Sequence, residues 1–105
     1  MERAWNRFSR FVDGVMFNRK LARNLRVAGK VEGRVNAFLD EKGYTFETFV
    51  DSDCEDRVPR AVVCVKVKVN NYNELLKLWD RLCDVGYGGL KVGEAAQVFI
   101  HCDPL

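Results

Sequence analysis

The sequence predicts a single α+β domain, and three features carry that prediction. Two stretches alternate along the chain with period two, YTFETFV at 44–50 and AVVCVKVKV at 61–69, as strands with one covered face do. Two others repeat apolar residues at helical spacing, Trp5, Phe8, Phe11 and Val15 in the first and Leu75, Leu76, Trp79, Leu82 and Cys83 in the second, as amphipathic helices do. The chain has 105 residues, 48% hydrophobic and 30% charged, which suits one globular domain and not a disordered chain.

Taken in order, the spacing predicts a helix over 2–17. At ~100° per residue, Trp5, Phe8, Phe11, Val12, Val15 and Met16 share one arc, and Arg3, Arg7 and Arg10 share the other. The pattern loses phase at Phe17-Asn18-Arg19-Lys20, and a further turn or two runs through Leu21 and Ala22. Leu25 and Val27 alternate with Asn24, Arg26 and Ala28, which reads as a short strand ending at Gly29. Val31, Val35, Phe38 and Leu39 return to helical spacing, with Gly43 as a C-terminal stop. Gly33 inside that helix costs up to ~1 kcal/mol relative to Ala.

The two β-rich stretches follow, separated by the polar break DSDCEDRVP. Asn71 with Glu74 three residues on fits a capping box, with Asn in place of Ser or Thr, and opens the next helix. Gly86 stands where a left-handed cap would end it. GYGGLKVGEAA is a loop with a short edge strand at 90–92, and QVFIHC at 97–102 is the last strand. From residue 24 the order is β-α-β-β-α-β, the ferredoxin-like split βαβ pattern. The expected organisation is one domain over 1–105: a helical segment at 1–22 and an α+β core at 23–105.

That architecture covers one sheet face with two helices and leaves the other open. Alternation assigns Arg26, Glu47, Phe49, Val62, Cys64, Lys66, Lys68, Phe99 and His101 to the open face. A face carrying Phe49, Val62 and Phe99 calls for a cover. The N-terminal helix is the natural one, from its own chain or from a partner.

The net charge of +2 hides an asymmetry. Residues 1–34 hold nine basic and three acidic side chains, and residues 35–105 hold eight and twelve. Such a split suits two parts that attract one another, or a basic arm for nucleic acid. For the second, the residues are Arg3, Arg7, Arg10, Arg19, Lys20, Arg23 and Arg26 with Lys66 and Lys68. Phe49 and Phe99 could stack bases, but RAVVCVKVKV lacks the aromatics that an RNA-recognition strand needs.

Four cysteines, at 54, 64, 83 and 102, form no C-x-x-C pair, so neither a zinc knuckle nor a thioredoxin-type motif is supported. Cys64, Cys83 and Cys102 fall inside elements and read as small core residues. Asp51-Ser52-Asp53-Cys54-Glu55-Asp56 lacks the glycine and the terminal glutamate of a calcium loop. Gly86-Tyr87-Gly88-Gly89 follows a helix and precedes a strand, the reverse of a phosphate cradle. His101 is the single histidine, and only a cysteine from another strand, Cys64, could meet it.

No catalytic residue, metal site or cofactor is therefore expected. No apolar run reaches the ~20 residues that span a bilayer, and no apolar h-region opens the chain. A cytoplasmic protein without a membrane partner is expected. The reading is a non-enzymatic interaction or regulatory domain, homodimeric through Trp5, Phe8, Phe11 and Val15, with nucleic-acid binding as the alternative.

Overall fold

The computed structural model describes residues 2–53, 58–91, 93 and 97–105, with residues 2–14 described as helical backbone only. Two helices and three strands follow in the order α1 (Glu2–Glu41), β1 (Phe46–Asp53), β2 (Arg60–Val67), α2 (Tyr72–Tyr87) and β3 (Val98–Pro104). The sheet order is β1-β2-β3. β1 and β2 are antiparallel. β2 and β3 are parallel, joined through α2 as a parallel pair requires.

The α+β class holds, but the ferredoxin-like βαββαβ arrangement is not reproduced. Residues 24–28, read as a strand, are helix, and the two expected N-terminal helices are one 40-residue helix. The reason is in the packing. Val27 and Ala28 are buried with Val31, Val35 and Leu39, so one stripe at helical spacing runs back through the supposed strand. An alternation of five residues fits either period. Asn24 adds a tie, its side-chain amide donating to the Pro59 carbonyl at 2.6 Å. Gly29 and Gly33 have nothing within 4 Å of a built Cβ and do not break the helix.

Both ends of the helical layer have clear causes. After Glu41, Gly43 takes φ 76°. Its N–H donates to the Asp40 carbonyl at 3.1 Å, and that of Tyr44 to the Leu39 carbonyl at 3.0 Å. This is a Schellman stop, which needs a residue without Cβ at that point. The Asn71 side chain accepts from the Glu74 N–H at 2.8 Å, and Glu74 reaches back to the Asn70 N–H at 3.0 Å, a capping box shifted by one residue. Gly86 is not the cap of α2: it is buried within the helix, which ends at Tyr87 and is capped at Gly88. Arg34 of α1 donates to the Gly88 and Gly86 carbonyls, tying the two helices together there.

The core lies between the helices and one sheet face. Ala61, Val63, Val65 and Val67 are at most 1% exposed. They meet Val31, Val35 and Leu39 from α1 and Leu75, Leu78 and Leu82 from α2. Each such Val or Leu contributes ~1.5–3 kcal/mol of burial before entropy. α2 also guards the β3 edge. The Trp79 indole donates to the Ile100 carbonyl and the Tyr87 hydroxyl to the Val98 carbonyl, both at 2.9 Å. These carbonyls point away from β2, and occupied edge groups do not recruit another strand.

Candidate functional site

The strand register sets out the open face row by row. Glu47, Lys66 and Asp103 form one row, Phe49, Cys64 and His101 the next, and Asp51, Val62 and Phe99 the third. Phe49 is 48% and Phe99 44% exposed, while Val62 and Cys64 between them are half-buried. An apolar band thus crosses the sheet with carboxylates on both sides. The Arg60 guanidinium lies 5.9 Å from the Phe99 ring centroid, a cation–π distance. Alternation placed every strand residue of this face correctly. Arg26 is instead an exposed residue of α1, and Lys68 lies just past β2.

His101, Asp103 and Cys64 come together here. His101 Nε2 lies 2.9 Å from Asp103 Oδ2, both side chains 53% exposed. The Trp79 ring meets the imidazole edge-on, with centroids 5.5 Å apart. Cys64 is the register neighbour of His101, so a thiol, an imidazole and a carboxylate share one corner of the face. The electrostatics oppose nucleophilic use: burial, then the Asp51 and Asp103 charges, push the Cys64 thiol up, whereas a reactive cysteine needs a lowered value. Among the described residues no three His, Cys, Asp or Glu side chains stand where they could hold a metal ion. The loop 54–57, with Cys54, Glu55 and Asp56, lies outside the described residues.

The remaining cysteines are structural in setting. Cys102 is buried on the covered face, and its thiol is raised to about 11, first by burial and then by Asp103. Cys83 is half-buried on α2 and raised first by burial.

The dimer and nucleic-acid residues fall on separate parts. Val15 and Met16 are 37% and 52% exposed, on the stretch of α1 that precedes its buried stripe. The side chains of Trp5, Phe8, Phe11, Arg3, Arg7 and Arg10 lie outside the described residues. Arg19, Lys20, Arg23 and Arg26 are exposed on α1. Lys66 is exposed on the opposite side of the sheet from α1, so the helix cations and Lys66 do not form one surface.

One concave feature was not foreseen. A cavity of about 360 Å³ lies between the C-terminal end of α1 and the face of α2, lined by Phe38, Lys42 and Tyr44 on one side and Glu74, Lys77, Leu78 and Arg81 on the other. Its cations come from segments more than thirty residues apart in sequence. The only local signal was Lys77 and Arg81 at i and i+4 on one helix face. No family model, curated protein or solved structure matches the chain.

Proposed function

We propose that this chain is a non-enzymatic interaction module that works as a homodimer, with the N-terminal half of α1 from each copy lying on the open sheet face of the other. One observation carries the reading: α1 is a single helix, and among its described side chains the buried stripe begins at Val27. The molecule is 62 Å along its longest axis, about the length of 40 helical residues at 1.5 Å each. The described side chains Val15, Met16, Arg19, Lys20 and Arg23 ahead of Val27 are exposed, and an apolar arc on a helix that extends past the core calls for a partner.

The geometry favours a second copy over the chain's own sheet. The C-terminal half of α1 packs on the covered face, so a continuous helix cannot also return to the open one. Chemistry matches the two surfaces. The open face sets Glu47, Asp51 and Asp103 around Phe49 and Phe99, and the segment that would meet it is rich in arginine around its Trp5, Phe8 and Phe11 stripe. A two-fold arrangement uses both contacts twice and closes. Six aromatic side chains, at roughly 150–250 Å² each, would supply most of the ~1,200–2,000 Å² of a stable interface. The free thiols at 64, 83 and 102 suit a reducing compartment such as the cytoplasm.

Sedimentation equilibrium tests this. The intact chain is expected to be a dimer, and Phe49→Glu/Phe99→Glu is expected to be a folded monomer, since both rings are exposed in the single copy. A monomeric intact chain at high micromolar concentration refutes the reading. A dimer that survives Phe49→Glu/Phe99→Glu refutes the sheet as the seat of the helix. The alternative, nucleic-acid backbone held by the exposed Arg19, Lys20, Arg23 and Arg26, is distinguished by oligonucleotide binding that vanishes with salt and ignores that substitution.

A further inference from the structure

The cavity at the other end of α1 has a composition that its place in the fold does not require. Its floor is apolar: Leu78 is 4% exposed, and Phe38 and Tyr44 are half-buried aromatics packed against the core. Its rim is cationic. Lys42 follows the end of α1, with its ammonium 5.9 Å from the Phe38 ring centroid. Lys77 and Arg81 stand one turn apart on α2. None of the three is within ion-pair distance of a carboxylate among the described residues. The only carboxylate on the rim, Glu74, already accepts the Asn70 N–H in the helix cap.

We infer that this cavity is a binding site for a small dianion carrying a flat apolar group, in the simplest case an aryl phosphate. Three cations set against the single Glu74 carboxylate leave the lining two positive charges in excess, and a dianion placed among them offsets that excess. Lys supplies a point charge and Arg a planar fork, the pairing that suits phosphate oxygens. Phe38 and Tyr44 offer a ring-sized apolar floor beside the charge. The volume sits at the lower end of small-molecule sites, which run roughly 300–1,000 Å³. The site lies between the two helices, on the other side of the sheet from the open face, so it stands or falls independently of the dimer.

Amide NMR on the full chain tests the inference with three probes: phenyl phosphate, inorganic phosphate and phenol. Phenyl phosphate is expected to give saturable shifts confined to Phe38, Lys42, Tyr44, Lys77, Leu78 and Arg81. Inorganic phosphate is expected to move the same signals at higher concentration, and phenol is expected not to saturate. Lys77→Gln/Arg81→Gln alters two exposed side chains, so the fold should persist, checked by an unchanged unfolding midpoint, while affinity falls by about tenfold or more. Shifts that do not saturate, that spread over Arg19, Lys20, Arg23 and Arg26, or that survive in Lys77→Gln/Arg81→Gln overturn the inference.

Discussion

Replacing Gly86 by Ala and Gly33 by Ala makes the same chemical change in two helices, and the surroundings give it opposite signs. In both places Ala gains about 1 kcal/mol over Gly from helix propensity. At Gly33 a new Cβ meets nothing within 4 Å, so that gain stands alone. At Gly86 it would lie 2.8 Å from Ile100 Cδ1 and 2.9 Å from Val31 Cγ1. The Ile100 methyl is a chain end and can rotate away. Val31 cannot easily do so, because a β-branched side chain in a helix is held to one rotamer, and α1 itself must shift. Overpacking of this kind costs about 1–3 kcal/mol, so the net for Gly86→Ala is a loss of up to about 2 kcal/mol. Urea unfolding at fixed protein concentration reads both changes, with the slope expected to stay constant. Val31→Ala provides the check: in that background Gly86→Ala should lose its cost and approach the gain of Gly33→Ala, because the two sites touch and cannot be additive. A Gly86→Ala chain stabilised as much as Gly33→Ala would refute the three-way approach of α1, α2 and β3 at this point.

Two further expectations concern the thiols and the sheet edge. Burial holds the Cys102 thiol at about 11 against an ordinary 9.0, so the folded state favours the neutral form. The associated stability is complete below pH 9 and is lost as pH rises from 9 through about 11. The unfolding midpoint should fall over that window, and Cys102→Ala should flatten the fall. Timed alkylation with mass spectrometry should find Cys102 modified only after unfolding, with Cys64 and Cys83 slow in the native state; rapid native labelling of Cys102 would contradict its burial. Trp79→Phe removes the donor to the Ile100 carbonyl and should cost ~1 kcal/mol. It should also raise light scattering on heating, because β3 then shows an unoccupied edge group; unchanged scattering would mean that the indole does not protect the edge.

Much of the body was legible because its patterns are long and its signals redundant. β2 alternates over eight residues with Ala61, Val63, Val65 and Val67 at every other position, so period and facing were readable together, and the strand residues of the open face followed from it. The start of α2 had two coupled signals, Asn71 and Glu74: Asn71 caps the helix as expected, and Glu74 reaches back one residue further, to the Asn70 N–H. Residues 24–28 were misread because alternation over five residues is also compatible with a helix. What decided between the two was tertiary: Val27 and Ala28 continue the stripe of Val31, Val35 and Leu39. Gly86 misled for a similar reason. A glycine near a helix end reads as a cap, but here it is absent of side chain so that Val31 and Ile100 can close on the helix. The rim of Lys42, Lys77 and Arg81 had no sequence signal as a group, since only the docking of α2 beside the end of α1 brings them together.

The division of α1 bears on how association and structure would be linked. From Val27 onward each turn of the helix buries a residue, and its order is maintained by the core. Ahead of that point Leu25 and Asn24 still touch the body, but Val15, Met16, Arg19, Lys20 and Arg23 are exposed, so the core contributes little to keeping those turns helical. Ordering backbone costs about 1–2 kcal/mol per residue, and helical hydrogen bonding in water only just offsets it over so short a length. Under the dimer proposal the balance for the projecting segment is set by what it touches on the second copy. Helix formation there and dimerisation are then one equilibrium, and a charge placed on the open sheet face acts on a helix to which it has no connection within its own chain.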